Sequence, residues 1–262
     1  FMGGMCLGSL LTPRLIATRH HPLRIYAYLE LGIAFCGVII LLCFPVLGNV
    51  YLAWAGTGLT GLVLRALITG VCLLPPTFLM GATLPIIARW IEATPQGISW
   101  LGYFYGGNIA GAVVGSLLTG YYFLRVYDLT ITTILAIAVN ILVAVIGLII
   151  AKVAPYKFPV NPTPTKVKAK ESKIVFLAIA LSGLTAMAAE VIWTRNLSLL
   201  FGGTVYTFAL ILAVFLAGLG IGSTIGAKVG RQTANPRRAL GWCQMLLCLA
   251  IAWAAYLIND SL

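Results

Sequence analysis

The stretch that decides the fold is FMGGMCLGS at residues 1–9, because it returns as FLAGLGIGS at 215–223. The shift that carries Phe1 onto Phe215 also carries Arg14 onto Lys228, Pro22 onto Pro236, Arg24 onto Arg238 and Glu30 onto Gln244, with no gap. One Gly-rich match is a coincidence of composition. A register held through a basic connection and into the next apolar segment is an internal repeat, a construction common among transporter folds. In the second copy an apolar segment at 174–197 precedes the repeated phrase, and no such segment precedes Phe1. The pattern therefore predicts an internal piece of a longer chain, its first half lacking one upstream helix.

Hydrophobic residues make up 61% of the 262 positions and charged residues 9%, with a mean hydropathy of +1.02. Soluble domains carry roughly 25% charge. The apolar runs recur along the whole length, so a cleaved leader does not explain the bias. A membrane-crossing helix needs about 20 apolar residues, and the runs predict helices at 1–17, 23–46, 57–92, 99–124, 128–153, 174–197, 203–230 and 236–259. The fold class expected is an all-α polytopic membrane protein of about eight helices in two repeats. The first segment is too short to cross. The third is long and carries Pro75, Pro76 and Pro85, which predicts one long bent helix, or else two shorter ones.

Charge orders the connections. Arg14, Arg19 and Arg24 flank the first, Lys152, Lys157, Lys166, Lys168, Lys170 and Lys173 the middle one, and Lys228, Arg231, Arg237 and Arg238 the last. Arg89 stands near the connection at 93–98, whereas those around 47–56 and 198–202 carry no charge. Basic connections alternate with uncharged ones, as the positive-inside rule requires of a chain that crosses at every helix. The expected location is a bacterial cytoplasmic membrane, basic loops cytoplasmic. The net charge of +11 then reflects topology and anionic lipid headgroups, not nucleic acid. The segment rich in Pro and Lys divides the chain into a first helical half at 1–153, a linker at 154–173 and the start of a second half at 174–262. The linker lacks apolar periodicity and reads as a disordered tether.

Several segments carry a family resemblance: PLRIYAYLELGI, LMGATLP, YGGNIAGAVVGS, and SGLTAMAAEVIWTRNLSLLFGGTVYTFALILAVFLAGLGIGS. Together with the basic loop in GSLLTPRLIATRHHPLRIY and the Arg of LVLRALITG, they resemble the major facilitator fold. More narrowly, they resemble the membrane domain of the fused major facilitator/spermidine synthase family. The resemblance implies the second to ninth of twelve helices and a link to polyamines. Members of that family usually continue into a cytosolic aminopropyltransferase domain. No nucleotide loop or acidic catalytic cluster occurs here, so no catalytic residue, cofactor or metal is assigned.

The repeated small residues Gly4, Gly8, Gly107, Gly111, Gly115, Gly218 and Gly222 predict close helix packing. The six cysteines all fall in apolar segments, without CxxC spacing, and read as small hydrophobes. The adjacent His20 and His21 are expected on a solvated loop. Ionisable groups at membrane depth face a partner or a wet cavity, which marks Glu30, Arg65, Glu190 and Arg195. Glu190 is expected about 24 Å along its helix from the basic end, towards the outer interface. Trp193 shares its helix face and Arg195 lies about 140° around. An acid beside an aromatic is the chemistry that a cationic amine needs. Glu190, Trp193, Arg65, Glu30 and Asn108 are therefore the candidate substrate contacts, with Glu190 facing the interior. The competing expectation is a non-transporting anchor or accessory subunit whose partners are subunits of a larger membrane complex.

Overall fold

The computed structural model describes residues 1–15, 20–54, 59–92, 97–154, 156, 169–233 and 235–261. These are helical almost throughout: α1 Met2–Leu15, α2 Pro22–Trp54, α3 Leu59–Glu92, α4 Gly97–Leu117, a π segment Leu118–Phe123, α5 Leu124–Val126, α6 Leu129–Val153, α7 Ala169–Phe201, α8 Val205–Gln232 and α9 Pro236–Ser261. With α4, the π segment and α5 taken as one continuous rod, eight helices stand where eight are expected. Seven are long and apolar enough to cross a membrane, and α1 is a shorter apolar helix. Large side chains cover their outer faces, among them Leu42 at 70% exposure, Val71 at 73% and Leu249 at 65%. Such a surface is stable against lipid tails and not against water. This is an integral membrane protein.

α3 is one helix despite its three prolines. Pro75 and Pro76 remove two backbone donors. Directly after them the Thr77 hydroxyl donates to the carbonyls of Leu73 at 2.7 Å and Leu74 at 3.1 Å, the back-bonding by which a Thr satisfies its own hydroxyl inside a helix. The expected linker falls largely outside the described residues (155 and 157–168), as does Arg19. Its last residues already belong to α7, which begins at Ala169 and continues to Phe201.

The chain divides into two compact units. The first holds α1, α2, α3 and α6. α1 lies against α3 by backbone contact: a Cβ at Gly4 would meet the Thr77 side chain, one at Gly8 the Phe78 carbonyl, and one at Gly81 the backbone of Met5. α2 packs on α6 through Ala27 and Ala144, both fully buried, with Gly147 against Ala27. Lipid supplies no hydrophobic force between helices, so small residues that let backbones approach are what holds them. The start of α2 is tied to the end of α6. His21 Nε2 donates to the Ala154 carbonyl at 3.0 Å, and the His21 ring lies 5.5 Å from that of Tyr156. The first basic connection and the exit towards the middle one thus share one end of this unit. This corrects the surface role expected for His21; His20 alone is exposed.

The second unit holds α4 from Gly102 onward, the π segment, α5, α7, α8 and α9. α4 precedes the linker in sequence yet groups with α8 because it packs there. Ile109 meets Gly220, Gly120 meets Ala209, and Tyr121 and Tyr206 lie ring to ring at 5.5 Å. The turn from α7 to α8 uses Gly202 at φ 87°, a conformation glycine adopts without strain. Thr204 then caps α8, its Oγ1 accepting from the Thr207 N–H at 3.3 Å.

Candidate functional site

The α7 helix explains how Glu190 is placed. At about 100° per residue, Ser182, Ala186, Ala189 and Trp193 fall within roughly 60° of one another, with Glu190 about 80° from Ser182. Ala189 is buried and Ser182, Ala186, Glu190, Trp193 and Thr194 are half-buried, whereas Leu184, Val191, Ile192 and Arg195 are exposed. Glu190 and Trp193 therefore share the covered side of the helix, and Arg195 points away from it. Among the described residues no hydrogen bond or ion pair engages Glu190. A carboxylate at membrane depth on the covered face of an apolar helix is costly unless a partner or a wet cavity offsets it.

Its depth differs from expectation. The apolar span runs Phe176–Phe201, four residues beyond the expected end. At 1.5 Å per residue, Glu190 is about 21 Å from one end and about 16 Å from the other, nearer the middle than the interface. The expected end at 197 reflects the polar run Thr194–Ser198, which the helix accommodates.

The other candidates divide between the two units. Glu30 sits on α2 in the first unit at 8% exposure, one turn after Tyr26, whose phenol interacts electrostatically with it. Arg65 is exposed on α3, and Asn108 is exposed on α4 in the second unit. Glu30 and Arg65 belong to the first unit, and Glu190 and Asn108 to the second. Of the packing glycines, Gly4 and Gly8 lie against α3, while a Cβ at Gly107, Gly111, Gly115, Gly218 or Gly222 would meet nothing within 4 Å. In this unit the covered side of α4 runs through Ile109, Val113, Ser116 and Gly120, opposite the Gly107–Gly115 stripe.

Two polar residues emerge only from the structure. Gln244 on α9 donates from Nε2 to Ser182 Oγ at 3.0 Å, and both are half-buried. Gln244 is the repeat counterpart of Glu30, so one register position carries a polar side chain in each copy. Comparison with protein-family models, characterised proteins and solved structures gave no match.

Proposed function

We propose that this chain is a transporter-fold membrane module that handles a small cationic amine, with Glu190 as its anionic contact and Trp193 as the neighbouring aromatic face. The observation that carries this is the Glu190 carboxylate itself: half-buried, near mid-span, and without a protein partner among the described residues. The internal repeat and the resemblance to the fused major facilitator/spermidine synthase family support the transporter fold and the choice of amine. The setting is a bacterial cytoplasmic membrane, basic connections cytoplasmic and in contact with anionic headgroups. Arg65, Glu30 and Asn108 belong to this reading only as secondary polar groups: Arg65 and Asn108 are exposed on their helices and Glu30 is buried within the first unit.

One observation favours a second reading. The open stripes Gly107–Gly111–Gly115 and Gly218–Gly222 suit close approach by further helices, as in a non-transporting anchor or accessory subunit of a larger membrane complex. Glu190→Gln in the reconstituted full chain separates the two. With labelled spermidine as probe, the cation reading expects at least about a tenfold loss of affinity, 1.4 kcal/mol, at normal inserted yield. Unchanged binding with reduced yield makes Glu190 a packing residue and selects the anchor.

A further inference from the structure

We infer that Gln244 is a positioning residue for the Glu190 site, acting through its hydrogen bond to Ser182. The inference rests on the cation-binding role proposed for Glu190, and it concerns what keeps that carboxylate on the covered side of α7.

Along the covered side of α7, Ala186 and Ala189 are small and smooth. A small apolar face in a bilayer gives close approach but little resistance to rotation, because lipid tails solvate a turned helix as well as its neighbour does. A directional bond resists rotation. Gln244 Nε2 reaches Ser182 Oγ at 3.0 Å across the α7–α9 contact, and this fixes which side of α7 faces α9. Ser182 is eight residues before Glu190, about 12 Å along the axis and about 80° around it. A turn of α7 by one residue's worth of rotation, away from α9, would carry Glu190 to the edge occupied by the exposed Val191 and Leu184. There the carboxylate would meet hydrocarbon. Among the described residues no hydrogen bond joins Ser182 or Gln244 to Glu190, so the effect they have passes through the orientation of the helix.

The test pairs a binding readout with one that does not depend on binding. In the reconstituted full chain, Gln244→Ala and Ser182→Ala are each expected to weaken spermidine binding at least about fivefold at unchanged inserted yield. The double variant should be no weaker than either single, because both remove one bond. Ser182→Thr keeps the hydroxyl and should bind as the parent does. Separately, a cysteine-free chain carrying Glu190→Cys should react with a water-soluble thiosulfonate, and adding Gln244→Ala should slow that reaction several-fold as the site turns towards lipid. Multiplicative losses in the double variant, a Ser182→Thr variant as weak as Ser182→Ala, or unchanged Glu190→Cys reactivity would overturn the inference. If Glu190→Gln leaves spermidine binding intact while Gln244→Ala still slows the thiol reaction, the amine reading fails and the positioning stands.

Discussion

Glu190 was legible in the sequence because ionisable residues are so scarce here: a chain with six acids makes each one at membrane depth conspicuous. Helical spacing also separated it from Arg195, as the structure places them. The Ser182–Gln244 bond was not legible, because it depends on the azimuths of two helices at once. The repeat marked Gln244 as the counterpart of Glu30 without showing what it touches. Tyr26 stands four residues before Glu30, the i,i+4 spacing of neighbours on one helix face. At this scale, Tyr26→Phe removes the hydroxyl that neighbours a buried carboxyl and should destabilise the first unit by about 0.5–2 kcal/mol, measured by unfolding in mixed detergent micelles. Asp128 accepts from the Ile131 N–H at 2.8 Å at the start of α6. Asp128→Ala should cost about 1 kcal/mol in the same measurement.

The elements were the most readable level, since apolar length alone locates a crossing helix. The proline-bearing α3 runs as one piece through Pro75, Pro76 and Pro85, the first of the two arrangements its length and prolines allow. What the pattern missed are features set by packing. The π segment at Leu118–Phe123 falls where Gly120 meets Ala209, and nothing in LTGYYF distinguishes it from a regular turn. The four-residue glycine stripes were conspicuous, yet in the second unit the close contacts fall on Gly120 and Gly220, because those lie on the faces that α4 and α8 turn to each other. The contrast is measurable. Gly8→Ala places a Cβ against the Phe78 carbonyl and should cost about 1–3 kcal/mol, whereas Gly111→Ala, with open space around it, should stay within about 0.5 kcal/mol of the parent. Equal losses in the two variants would mean that the α1–α3 contact is not backbone-close.

For the molecule as a whole, composition, repeat and charge pattern agree on a chain that weaves through a membrane, and the functional proposals depend on that weave. Only a crossing α7 holds Glu190 at mid-depth. The structure adds one link that the sequence lacked: His21 bonded to Ala154 sets two basic connections at one end of the first unit. Impermeant maleimide labelling in sealed vesicles of known orientation tests the weave most directly, using a cysteine-free chain with His20→Cys or Gly203→Cys. Both positions are exposed, and they are separated by five crossing helices, α2, α3, the α4–α5 rod, α6 and α7. The expected result is labelling of His20→Cys from the cytoplasmic side alone and of Gly203→Cys from the opposite side alone. Labelling of both from the same side would contradict the alternating topology and with it the placement of Glu190.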